Sequence, residues 1–187
     1  TSGPRMAVRF FAGWDYAEDL HTRSDMLKKA YRQGVPMGGD LGKPQGNRSP
    51  RFLVVASKDA LGANLDRIQI VKGWVDASGQ QQDRVFDVSW SGQRTAGANG
   101  KLPPVGNTVD LRTATYQNSI GAAQLATVWE DPTFDPAMPA LYYARVIEIP
   151  TPRWSTYDSV RAGLPLLDGV PATIQERAWS SPIWYRP

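Results

Sequence analysis

The sequence predicts a mainly β chain, a β-sandwich or open barrel of short antiparallel strands with one or two short helices and long loops. Three observations carry that reading. About five or six segments have the period-two or all-apolar pattern of strands and are bounded by turn residues. Fifteen prolines and seventeen glycines suit such a class better than a helical one. A composition of 41% hydrophobic and 21% charged residues is that of an ordinary globular chain, and 187 residues suffice to bury a sizeable core as a single domain, 1–187.

The first strand is expected at Met6, where Met6, Val8 and Phe10 alternate with Ala7, Arg9 and Phe11. Large apolar groups on both parities imply cover on both faces. A short helix follows over residues 24–34, with Ser24 as N-cap, Met26, Leu27, Ala30 and Tyr31 as its apolar stripe, and Gly34 as its stop. The run Met37-Gly38-Gly39-Asp40-Leu41-Gly42 reads as a tight turn entering a sheet, or as a loop whose paired glycines admit close approach of a ligand. Phe52-Leu53-Val54-Val55-Ala56 is continuously apolar and expected as a central strand. Residues 65–75 form the next strand, whose apolar parity shifts between Ile70 and Val71, the mark of a bulge or of burial on both faces. Asp76-Ala77-Ser78-Gly79 turns the chain, and Phe86, Val88 and Trp90 alternate with Val85, Asp87 and Ser89 on the return, which makes a β-hairpin.

Residues 91–113 show little periodicity and are expected as a long loop. Two further strands, 123–129 and 141–149, are separated by Glu130 to Pro136, whose prolines have no place in a central ladder. The Pro/Trp-rich tail, 150–187, holds a short helix near 155–161 and an extended piece over 174–185, and is expected to pack back on the domain.

The residue inventory narrows the chemistry. No cysteine means no disulfide, no thiolate nucleophile and no Cys-held metal in this chain. His21 is the one histidine, too few for a multinuclear hydrolytic centre, and reads as a surface residue before a helix. No Gly-x-Ser-x-Gly elbow occurs, and no Gly-Lys-Ser/Thr follows Gly38-Gly39, which excludes a P-loop. Acid pairs such as Asp15 with Asp19, or Glu130 with Asp131, are available, but their spacing carries no information. Asp131-Pro132-Thr133-Phe134-Asp135 suits an Asx turn better than a calcium loop. The net charge is +3 with arginines dispersed, which argues against nucleic acid. No stretch reaches the roughly 20 apolar residues of a membrane span. The compartment, cytoplasm or periplasm, is left open.

Seven long runs point further. They are Thr-Ser-Gly-Pro-Arg at 1–5, Gly13-Trp14-Asp15, Gly34 to Leu41, Asn64 to Trp74, Tyr142 to Val146, Pro150 to Trp154, and Ile174 to Tyr185. Together they resemble the C-terminal region of a bacterial family named as domain of unknown function 3604. The resemblance covers essentially the whole chain. It implies an upstream half similar to the PHP (polymerase and histidinol phosphatase) metallohydrolases, carrying its divalent metals on a barrel, with residues 1–5 as the junction. That opening lacks an initiator Met and reads as an internal cut.

On this resemblance the chain is expected to be a non-catalytic accessory domain with no cofactor of its own. Its partner is the upstream barrel of the same parent chain, which it stabilises and whose active site it walls. Arg5, Gly38, Gly39, Asp40, Arg153 and Trp154 are the expected contacts with substrate or barrel, Arg5 as donor to a phosphate or carboxylate. The alternative is a carbohydrate-binding module using exposed Trp and Tyr rings among its seven tryptophans, of which Trp14, Trp154, Trp179 and Trp184 fall in loops or at strand ends. The competing role for these rings is to seal the core and the seam with the barrel.

Overall fold

The computed structural model describes residues 1–98 and 101–187. Along the chain run β1 (Ala7–Gly13), α1 (Met26–Gln33), β2 (Gly34–Pro36), β3 (Asp40–Leu41), β4 (Arg51–Ser57), β5 (Leu65–Val75) and β6 (Gln81–Trp90). Then follow β7 (Gln124–Glu130), β8 (Ala140–Glu148), β9 (Thr151–Pro152), α2 (Trp154–Ala162), β10 (Thr173–Ile174), β11 (Arg177–Trp179) and β12 (Ile183–Tyr185).

Two sheets face each other without closing into a barrel. The first is antiparallel in the order β2-β1-β4-β7, so β4 is central, as its unbroken apolar run requires. The second runs β3-β12-β8-β5-β6, with β11 pairing on β8 beyond β12. Only its β3–β12 contact is parallel among the described pairings. The expected hairpin is β5–β6, turned by Asp76, whose carboxylate accepts the Ser78 and Gln80 amides.

Strand parity explains the layers. Phe10, Ala12, Phe52, Val54 and Ala56 point from the first sheet into the sandwich, against Ile68, Ile70, Tyr142, Ala144, Val146 and Ile183 of the second. Phe52 spans the gap, its ring 4.5 Å from that of Tyr142. The opposite parity, Phe11 and Leu53, packs with Tyr16, Leu20 and Ala30 beneath α1. The first sheet is thus covered on both faces, giving a helix–sheet–sheet stack.

Local details depart from sequence expectation in instructive ways. Helix α1 starts at Met26 with Asp25 at the N-cap, and no side chain caps it. Gly34 ends the helix in extended backbone and enters β2 directly. Glycine is needed there because a Cβ would clash with the Ala12 carbonyl oxygen and the Tyr16 hydroxyl. That hydroxyl donates to the Ala30 carbonyl at 2.7 Å, locking the chain between β1 and α1. In β5 the ladder irregularities fall at Leu65/Arg67 and Ile68/Gln69, earlier than the parity shift, and Val71 is buried as well.

A buried polar cluster crosses the sandwich. Lys72, on the inward parity of β5, donates to the Asp131 carboxylate at 2.7 Å and to the Thr133 carbonyl at 2.8 Å. Asp131, just past β7, also accepts the Tyr142 hydroxyl at 2.8 Å and the Thr133 amide at 2.8 Å, the latter closing the expected Asx turn. Burial opposes ionisation of Asp131, yet these donors hold its carboxyl below the ordinary value.

Two predictions test this packing. Lys72→Met strands a fully buried carboxylate and is expected to cost about 3–5 kcal/mol in chemical denaturation, with Lys72→Met/Asp131→Asn recovering part of the loss. Gly34→Ala is expected to cost at least about 3 kcal/mol by the same measurement, because backbone lines the clash on one side.

Candidate functional site

Three acids are fully buried among the described residues: Asp66, Asp131 and Glu148. Asp131 is neutralised by Lys72. Asp66 accepts from Arg94 at 2.6 Å and from the Gln175 amide at 3.0 Å. Glu148 differs: neither of its carboxylate oxygens has a hydrogen-bond partner.

Glu148 is the last residue of β8 and continues the inward parity of Ala140, Tyr142, Ala144 and Val146. It therefore points where the sandwich interior runs out. Its backbone amide donates to the Glu176 carbonyl at 3.0 Å. It lines a cleft of about 200 Å³ together with Pro4, Tyr116, Trp154, Tyr157 and Glu176. Gly62 leaves the side-chain space: a Cβ there would press on Asp59 and come within 3.5 Å of Glu148 Oε1.

Burial raises the Glu148 carboxyl to about 7, reinforced by Glu176 and Asp59 and weakly opposed by Lys58. The Lys58 ammonium is directed elsewhere, donating to the carbonyls of Asp59, Ala60 and Gly62 at 2.8–3.2 Å. A carboxyl poised near neutrality can exchange a proton or serve as a counter-ion to a ligand.

The opening residues frame this cleft. The Ser2 amide donates to the Arg177 carbonyl at 2.8 Å, and the Ser2 hydroxyl bonds to the Glu176 carboxylate. The Arg5 amide donates to Asp59 at 2.7 Å, leaving the Arg5 side chain exposed. Trp154, 69% exposed, stands on the first turn of α2 beside the same cleft. Arg153 precedes it and ties down the following loop through Nε to the Pro171 carbonyl at 2.8 Å.

Gly38, Gly39 and Asp40 are not part of this group. Gly38, at φ +87°, turns the chain between sheets and donates its amide to the Pro182 carbonyl at 2.9 Å. The Gly39 carbonyl accepts the Trp184 amide at 3.0 Å, and Asp40 pairs with Arg186 at 3.2 Å. Trp184 pairs with Leu141, seven residues from Glu148 on β8, or about 23 Å away along a strand.

Other candidate acids are occupied separately. Asp15 pairs with Arg48, Asp19 with Arg23, and Glu130 with Arg51. His21 sits in a 3-10 turn with Nδ1 3.1 Å from the Glu18 carbonyl. No grouping of three or more His, Asp or Glu residues suited to a metal ion occurs among the described residues. With a single His and no Cys, this chain's donors do not fit a multinuclear centre.

The tryptophans divide. Trp14 packs edge-on to Tyr185 and tilted to Phe134 at the core margin. Trp179 and Trp184 take the outward parity of the second sheet, beside buried Ala178, Ile183 and Tyr185. Trp184, Leu141 and Trp74 border an apolar groove of about 800 Å³.

The Glu148 carboxyl makes stability depend on pH. Its folded value, about 7, exceeds the ordinary 4.5, so the folded chain holds the proton more tightly than the unfolded one. The penalty is absent below about pH 4.5, grows as pH rises to about 7, and is complete above that. Denaturation is expected to register a loss of about 3 kcal/mol from this group between pH 4.5 and 8. Glu148→Gln is expected to flatten that slope.

Comparison with protein families matches residues 1–187 to the model described as "Protein of unknown function (DUF3604)". Neither the curated proteins nor the solved structures yield a match. With the whole length matched, the chain belongs to the DUF3604 family.

Proposed function

We propose that this chain is the non-catalytic C-terminal accessory domain of a PHP-like metal-dependent hydrolase, stabilising an upstream barrel and walling its active-site mouth. The observation that carries this reading is the course of residues 1–5. The segment that resembles the barrel junction is bonded along the rim of the cleft in which a fully buried acid has no partner. Further support comes from Leu164, Leu166, Leu167 and Val170, exposed in the loop after α2 and available for an apolar seam. The divalent metals of this reading belong to the barrel.

A second reading, a carbohydrate-binding module, draws support from Trp179 and Trp184 on the outward face of one sheet. Binding to insoluble polysaccharide that disappears in Trp179→Ala/Trp184→Ala would favour it.

The leading reading is tested by comparing the parent protein with and without residues 1–187. The truncated form is expected to melt lower and to lose kcat/KM against phosphoester substrates. Equal melting temperature and equal kcat/KM would remove the reading.

A further inference from the structure

We infer that the Glu148 cleft binds a small organic cation, an alkylammonium or quaternary ammonium group. The inference rests on reading this cleft as the ligand-facing wall of the domain, and it names the class of ligand.

Charge comes first. Glu148 and Glu176 line the cleft and Asp59 stands beside it, while no cationic side chain is in its wall. Lys58, the nearest ammonium, is spent on three backbone carbonyls. Asp59 is taken up by the amides of Arg5 and Leu61, and Glu176 by the Ser2 hydroxyl. That leaves Glu148, fully buried with both oxygens unmatched, as the group that still lacks a counterpart. An unpaired buried carboxylate is costly, and an added cation is the direct way to offset it.

Shape and surface chemistry specify what kind of cation. Tyr116, Tyr157 and Trp154 line the cleft, and aromatic rings are the recurring partners of alkylated ammonium groups. The Tyr157 ring holds the Arg161 guanidinium 5.8 Å from its centroid, and Arg161 is not among the residues lining the cleft. A volume of about 200 Å³ admits a head group of a few heavy atoms. An anion meets like charge here, and a bare metal ion finds no three-donor set among the described residues.

The groups facing Glu148 are Glu176 from the segment before β11, Asp59 and Lys58 from the loop after β4, and, across the cleft, Tyr116 and Tyr157. Both tyrosines are raised above their ordinary value by burial and remain neutral through pH 8. Affinity for a cation therefore follows ionisation of Glu148 and rises about tenfold from pH 6 to pH 8.

The 187-residue chain is titrated with tetramethylammonium and n-butylammonium chloride by calorimetry and tryptophan fluorescence. Sodium chloride, magnesium chloride, sodium acetate and glucose serve as matched controls. Saturable binding of an ammonium probe is expected, about tenfold tighter at pH 8 than at pH 6. Glu148→Gln should abolish the pH dependence and weaken binding at pH 8 about tenfold or more. Trp154→Ala, at an exposed position, should weaken it severalfold with the fold intact.

No saturable ammonium binding, ammonium binding indifferent to Glu148→Gln, or saturation by magnesium or glucose in its place overturns the inference. Those outcomes, with the parent still dependent on residues 1–187, leave the accessory-domain reading standing. Ammonium binding alongside an indifferent truncation removes the accessory-domain reading instead.

Discussion

The ion pair between Lys72 and Asp131 is the contact on which the sandwich depends. Lys72 lies in one sheet and Asp131 just past β7 of the other, and Tyr142 and Thr133 complete the contact so that the carboxylate meets donors on several sides. A lone charge at either position would be expelled from an interior built of Phe52, Ile70 and Tyr142. Held together, they fix how β7 sits over β5 and β8, and they bring Phe134 against Trp14 and Tyr185 at the same end.

At the other end of β8 the same parity delivers Glu148, with no Lys72 to meet it. The contrast explains the polarity of the molecule. One end of the interior is sealed by a matched pair and a cluster of aromatic rings. The opposite end is left with an acid, a glycine that keeps space open, and a rim crossed by residues 1–5. Burial without compensation is tolerated where a protein has a use for it, and much less often elsewhere.

The framework was largely readable in the residues. The alternation in β1 and the unbroken run in β4 announced a sheet covered on both faces, and the β5–β6 hairpin followed from its turn and its returning parity. The partners of the strands were less accessible. Nothing local shows that residues 177–185 complete the second sheet, because pairing energy across about thirty or more intervening residues has no signature in a short window. The helix cap was misplaced because Ser24 makes no capping bond, whereas Gly34 does end the helix as expected, and the close approach of Tyr16 is the further reason it must be glycine. Of the expected contact residues, Trp154 lines the cleft and Arg5 follows Pro4 of its wall in sequence, whereas Gly38, Gly39 and Asp40 build the crossing between sheets. Glu148 and Lys72 escaped notice as single charges in apolar strands. Counting in twos from Tyr142 or Ile70 places both on the inner face, which is the clue the sequence held.

The pairing of β3 with β12 joins Asp40 to Trp184 and Leu41 to Tyr185. Among the strand pairings described, this seam forms late in synthesis, because it waits for β12, which follows every other strand along these residues. Until then the flank of β8 that later receives β11 and β12 remains an unpaired edge beside a hydrophobic face. Nascent chains of this design are thus most exposed to wrongful association between the emergence of β8 and that of β11 and β12, and shielding by a chaperone matters most in that interval.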